Sequence, residues 1–134
     1  MPRLMSVAFT EQAVRDRVKT VTRRKGWTFL KPGDRLTLCR KVMGRKPGEP
    51  LVRIAEVEVI HVSREPLERL LSFPGVLHRS DYALKEVALE GFSGMDPDDF
   101  VNRFFVIEQG MNRDDYVTRI EWRYLDEQGG GTDE

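Results

Sequence analysis

Eight consecutive residues, Arg17-Val18-Lys19-Thr20-Val21-Thr22-Arg23-Arg24, hold one amine, two hydroxyls and three guanidinium groups. An arginine grips a phosphate or carboxylate through parallel N–H donors, and a lysine presents a compact charge. A threonine hydroxyl becomes a nucleophile only when a base takes its proton. A lysine amine can be that base only when neutral, so its ordinary pKa of ~10.4 must fall. Burial and the like charges of Arg23 and Arg24 would lower it, and a nearby carboxylate would raise it again. The stretch therefore suits two chemistries: holding an anion, or activating a hydroxyl. It also suits a solvated strand edge, where basic side chains discourage aggregation.

Geometry decides which of these can operate. Lys19–Arg24 is rich in β-branched residues and reads as a strand. In a regular strand Thr20, Thr22 and Arg24 share a face and Lys19 points away. Lys19 can join Thr22 only from a turn between helix and strand, outside the pleat. The preceding residues supply such a helix: a short strand over Leu4–Phe9, then Thr10 as an N-cap, Glu11 in the first turn, and a helix to about Val18.

The following elements must complete a sheet. Lys31-Pro32-Gly33-Asp34 is a turn, with proline fixing one φ and glycine free to take a positive one. Arg35–Val42 is a strand, and Met43–Pro50 a basic hairpin loop. Leu51–Val62 is a long strand with Ala55, Val57 and Val59 inward and Glu56 and Glu58 outward. Ile60 and Val62 then take the other parity, which predicts a bulge. Pro66–Leu71 reads as a short helix with proline first, and Tyr82–Leu89 as a second. Asp96-Pro97-Asp98-Asp99 opens a third, with Phe100, Val101, Phe104 and Phe105 on its buried face. Val117–Leu125 alternates, placing Ile120, Trp122 and Tyr124 on one side and Arg119, Glu121 and Arg123 on the other. The expected fold is α+β: a small mixed β-barrel of about five to six strands with flanking helices. Residues 1–126 form one domain, and 127–134, with nothing apolar to bury, a disordered tail.

The 134 residues carry zero net charge, unevenly distributed. Residues 1–54 hold 14 Lys and Arg against 4 Asp and Glu, and the remainder holds 8 against 18. This suggests an anionic partner for the first part, unless the two parts interleave and cancel. No apolar run approaches the ~20 residues that span a bilayer. The single cysteine, Cys39, forbids an internal disulfide, so a cytoplasmic setting is expected. Cys39 lies in a strand-like run, as a packed small residue or a nucleophile. Trp27, after the basic stretch, either stacks a base or seals the end of the barrel. Arg45 and Lys46 either track a phosphate backbone or tip a solvated hairpin. His61 and His78 lack metal-ligand companions, and Asp96, Asp98 and Asp99 read as helix capping; no metal or cofactor is expected.

Lys19, Thr22 and Arg24 fit the spacing G-x-K-x-x-[E/T]-x-R, followed by the Lys-Pro-Gly-Asp turn, a long fourth strand, a helical Glu-Gly stretch and a last strand. In this the chain, over residues 2–125, resembles the ASCH family of the PUA-like superfamily. The resemblance implies an RNA- or nucleoside-binding domain. Small bacterial members resemble amidohydrolases that remove an acetyl group from the exocyclic amine of cytidine with a Lys, a Thr and a Glu. Carried over, these fall on Lys19, Thr22 and Glu90, the last in Ala88-Leu89-Glu90-Gly91. Thr20, Arg23, Arg24, Trp27, Arg45 and Lys46 are then candidate ligand or RNA contacts. Other members resemble ribonucleases, and a binding module without turnover stays open. Arg17 stands where the motif has glycine, a residue that would let a ligand approach the backbone. Glu90 is expected to act on the substrate or shuttle a proton rather than serve as an ion-pair partner. The oligomeric state is open, a monomer being one option.

Overall fold

A computed structural model describes residues 2–71 and 81–125. His78 and the expected tail lie outside them. Five strands, β1 (Arg3–Ser6), β2 (Val21–Arg24), β3 (Arg35–Cys39), β4 (Arg53–Pro66) and β5 (Tyr116–Tyr124), form one curled half-barrel sheet. Their order is β1-β3-β4-β5-β2. β1 runs parallel to β3, and the other pairs are antiparallel. The fold is mixed α+β as expected, the small barrel with flanking helices taking the form of a curled half-barrel among the described residues.

Each strand follows from its pattern. Ala55, Val57 and Val59 of β4 are buried, as are Ile120, Trp122 and Tyr124 of β5. The parity change in β4 is a bulge: Val59 pairs with Trp122 and His61 with Glu121, leaving Ile60 unpaired and exposed. Such an extra residue bends a strand and increases its twist. Past the bend β4 continues to Pro66, bringing Glu65 inward. In the Lys-Pro-Gly-Asp turn, Gly33 has φ 97° and Asp34 Oδ2 accepts from the Lys31 N–H at 3.0 Å.

Helices differ from expectation at their ends. The first strand stops at Ser6, and Ala8–Thr10 is a 3-10 turn leading into α1 (Glu11–Arg15). Thr10 precedes α1 without a side-chain capping bond, because that turn already fixes the entry. The helix expected over Pro66–Leu71 is a single 3-10 turn, Leu67–Leu70, with Pro66 extended before it. α2 (Asp81–Leu89) and α3 (Pro97–Val101) form as read, and the Asp96 side chain accepts from the Asp99 N–H. A π-helix, Asn102–Ile107, continues α3.

Two cores result. One fills the curl of the sheet, with Val14 of α1 packed among Leu36, Val57, Val59, Ile120 and Trp122. The other joins α2, α3 and the π-helix to Leu67, Leu70 and Val117. Between them lies a polar seam, and the candidate site is at its open end. Among the described residues, no helix is long and apolar enough to cross a membrane.

Candidate functional site

The site begins with how α1 ends. The Arg17 N–H bonds the Val14 carbonyl and the Val18 N–H bonds the Ala13 carbonyl. This is the paired closure of a helix by a left-handed residue, which glycine usually supplies. Arg17 occupies it at φ 62°. The motif's glycine position is thus a helix terminator here, not the point of ligand approach expected from sequence. The Arg17 guanidinium offsets part of the strain. It donates to the Val14 carbonyl at 2.8 Å and lies 4.9 Å from the Tyr124 ring centroid.

This closure places Lys19 between helix and strand. Its N–H bonds the Ala13 carbonyl. Its own carbonyl accepts from Trp122 Nε1 at 3.1 Å and from the Tyr124 hydroxyl. β2 starts only at Val21. Lys19 is therefore outside the pleat, as convergence with Thr22 requires.

Glu90 arrives by a second closure of the same kind. The Gly91 N–H bonds the Ala88 carbonyl, the Phe92 N–H bonds the Val87 carbonyl, and Gly91 has φ 105°. A Cβ on Gly91 would stand 2.9 Å from Ala13 Cβ and 3.7 Å from Lys19 Cβ. Two helix C-termini thus abut, with glycine allowing the close approach. Lys19 Nζ donates to the Glu90 carbonyl at 2.7 Å and to Glu90 Oε1 at 3.1 Å. A cation is stabilised where helix carbonyls point outward unpaired. Burial nevertheless pushes the amine below its ordinary value, with Glu90 opposing and Arg24 and Arg23 assisting. Glu90 is an ion-pair partner as well as a candidate acid, which corrects the role expected from sequence.

A cleft of about 280 Å³ opens here, with Lys19, Thr22, Arg24 and Glu90 among its lining residues. Arg24 Nε donates to Thr22 Oγ1 at 3.2 Å, and another of its nitrogens to the Ser6 carbonyl at 2.7 Å. Among the described residues Arg24 has no carboxylate at ion-pair distance, and burial lowers its pKa. Glu90 opposes that cost only in part, and an anion or a polarised carbonyl would relieve the rest. The opposite wall is aromatic. Phe92 and Phe104 stand 4.7 Å apart between ring centroids, and Phe9, 68% exposed, lies 5.8 Å from Phe104.

Arg23 also borders the cleft, but its guanidinium is turned to buried acids. Its side chain is sealed from solvent, bonding Glu65 at 2.9 Å, Glu90 at 3.0 Å, Glu86 and the Tyr82 hydroxyl. Against the cost of burial, Glu90, Glu65 and Glu86 hold its proton more firmly than usual. Arg119 extends the chain of charges, bonding Glu86 through two nitrogens. Part of the basic excess of residues 1–54 is thus matched internally by acids of the second part. Arg23, expected as a ligand contact, lines the cleft and holds Glu90 in place.

The remaining candidates lie elsewhere. Thr20 joins Leu89 and Trp122 through its backbone. Trp27 packs on the sheet core and against Phe29, outside the cleft. Arg45 and Lys46 are exposed in their loop. His61 is exposed beside Arg119. Cys39 is buried in β3, and burial raises its thiol. The aromatic wall escapes a reading of the sequence because Phe104 falls on a core position. The one available signal is the recurrence of Phe9, Phe92, Phe100 and Phe104 beside the elements that end in Lys19 and Glu90.

No family model and no curated protein matches the chain. Solved structures do. An Enterococcus faecalis protein of the family DUF984 aligns at TM-score 0.59 and 13% identity, over 93% of this chain and 80% of that one. An ASCH domain from Lactobacillus crispatus aligns at TM-score 0.53 and 12% identity, over 91% of this chain and 79% of that one. The chain shares the fold of these two structures. At such identities the likeness concerns architecture, so the chemistry rests on this chain's own residues.

Proposed function

We propose that the cleft binds a nucleoside-like group and hydrolyses the amide of an acetylated cytidine. The observation that carries this reading is the buried Lys19 amine, fixed on Glu90 in the same cleft as Thr22 and Arg24. A neutral amine has two N–H bonds and one lone pair. The two bonds to Glu90 take both N–H groups, leaving the lone pair for the proton of Thr22. Arg24 already donates to Thr22 Oγ1, which favours the alkoxide.

The reaction then runs in two steps. Thr22 Oγ attacks the acetyl carbonyl while its proton passes to Lys19 Nζ. Arg24 offers N–H to the developing oxyanion. The C–N bond breaks, and Lys19 returns the proton to the departing exocyclic amine. Water, deprotonated by Lys19, then cleaves the acetyl-threonine ester, releasing acetate and restoring the hydroxyl. The phenylalanine wall supplies a face for the base. The volume lies near the lower end of the ~300–1,000 Å³ of small-ligand sites, which suits one base or nucleoside.

The test is release of cytidine from acetylated cytidine. Thr22→Val and Lys19→Ala are each expected to reduce the rate by about 100-fold or more. Release that survives both substitutions would overturn the assignment.

A second reading, binding without turnover, draws on Glu90, whose carboxylate is clasped by both Lys19 and Arg23. It predicts saturable nucleoside binding, weakened by Arg24→Met, with no cytidine released.

A further inference from the structure

A second recess of about 280 Å³ lies at the far end of β1, lined by Arg3, Phe29, Leu30, Lys31, Asp34 and Arg35. Its positive groups outnumber the acids within reach. Lys31 Nζ pairs with Asp34 Oδ1 at 2.9 Å while Asp34 Oδ2 takes the Lys31 N–H, so both oxygens are occupied. Glu58, opposite Arg35 in the ladder, is held by Arg123 at 2.6 Å. Among the described residues, Arg3 and Arg35 have no carboxylate at ion-pair distance. A tilted stack reaches the recess through Phe29. The Trp27 and Phe29 rings lie 5.5 Å apart, and the Arg3 guanidinium sits 4.4 Å from the Phe29 centroid. Phe29 is 54% exposed. Bases stack on guanidinium planes and on aromatic rings, and phosphates pair with arginine.

The position matters as much as the composition. Arg3 begins β1, and Ser6, which lines the cleft, ends it. At ~3.3 Å per residue the two ends are about 10 Å apart. β1 is an edge strand. A single nucleic-acid strand lying along it would reach both recesses at once.

We infer that the recess of Arg3, Phe29 and Arg35 is a second site, holding a neighbouring nucleotide of a single-stranded RNA whose target base enters the cleft. This rests on the nucleoside reading of the cleft for the path of the strand; the recess stands on its own charge and stacking. The base extends the Trp27–Phe29–Arg3 stack, and Arg35 takes the phosphate.

Fluorescence anisotropy on the full chain tests it, with a short single-stranded RNA carrying one acetylated cytidine, at two salt concentrations. Arg3→Glu combined with Arg35→Glu is expected to weaken RNA binding about tenfold or more and to shrink the salt slope by ~0.7 for each phosphate no longer neutralised. Phe29→Ala is expected to weaken it roughly fivefold or more. Both sets of substitutions lie outside the cleft, so turnover of free acetylcytidine should remain within about twofold of wild type, which also reports that the variants fold. Unchanged RNA affinity in the double variant overturns the inference. So does wild-type binding to RNA no tighter than to the free nucleoside, and so does an equal loss for heparin, which would mark a general anion patch. RNA binding that collapses in a double variant whose urea midpoint matches wild type, in a protein that never turns over the nucleoside, upholds the recess and sinks the cleft chemistry instead.

Discussion

Lys19 and Glu90, 71 positions apart in the chain, meet at 3.1 Å with both side chains almost wholly buried. Each sits at the closure of a helix by a left-handed residue. Their meeting is therefore set by two backbone turns before either side chain chooses a rotamer. That pre-setting suits the pair to chemistry, and it has several measurable consequences.

The first concerns pH. Burial depresses the Lys19 pKa, and Glu90 opposes the depression. Glu90→Gln removes the opposing charge, so the amine becomes neutral at lower pH. If Lys19 is the base, the rising limb of kcat/KM against pH should move to lower pH in this variant, whatever happens to the plateau. A limb that stays put, or moves up, would remove Lys19 from the base role.

Gly91 admits no side chain. The 2.9 Å approach to Ala13 Cβ and the positive φ both oppose one. Gly91→Ala should cost about 2–4 kcal/mol, combining overpacking with backbone strain. It should also spread Lys19 from Glu90. Urea unfolding checks the stability, and cytidine release should fall further than the unfolded fraction accounts for.

Arg17 separates two effects that sequence comparison merges. Arg17→Ala keeps the left-handed strain and removes the guanidinium. Arg17→Gly also removes the guanidinium but relieves the strain. The glycine variant should be the more stable of the two by about 1 kcal/mol. Equal midpoints in urea would show that the turn carries no strain.

Arg23 is surrounded by Glu65, Glu86 and Glu90. Arg23→Met leaves those carboxylates buried without their shared partner. Loss of one member of a buried ion pair costs ~3–5 kcal/mol, and thermal unfolding should report a drop of that order. A change below about 1 kcal/mol would mean that water reaches the network.

Acid should unfold the protein through particular groups. Arg40, and secondly Arg15, hold the Glu11 carboxyl at about 2 instead of 4.5. Glu86 is also lowered: burial opposes this, and the bonds from Arg119 and Arg23 prevail. A depressed carboxyl adds stability that is full above its unfolded value and is lost as pH falls through its folded one. Stability should therefore decline from about pH 4.5 downward, and more gently in Glu11→Gln. Lys19 has the same sign in a more alkaline window: with its folded pKa depressed by burial, stability should rise with pH as that amine loses its proton, up to the ordinary lysine value. Lys19→Met should remove that rise. Melting temperatures across the pH range would test both limbs.

The strands, the Lys-Pro-Gly-Asp turn and the β4 bulge are legible in the sequence because each leaves a local mark: alternation, turn chemistry, or a parity change. Lys19 and Thr22 as a pair come from the motif they resemble, and Glu90 from the same resemblance at the Glu-Gly pair; spacing alone leaves a solvated strand edge open. The buried charges are not. Arg119 alternates with apolar residues as a solvent-facing side chain would, and only the fold brings Glu86 against it. The π-helix is equally invisible, since Phe100, Val101, Phe104 and Phe105 keep an ordinary helical spacing. Its effect is to leave Phe104 half-buried at the cleft, where a regular core face is expected.

β1 and β2 are the two free borders of the sheet, and the Arg24 bond to the Ser6 carbonyl ties them together across the cleft. That tie is a clasp and not a ladder. No rung of the ladder depends on it, because the rungs lie between neighbouring strands. A guest that claimed Arg24 for itself would compete with that clasp and leave the sheet whole.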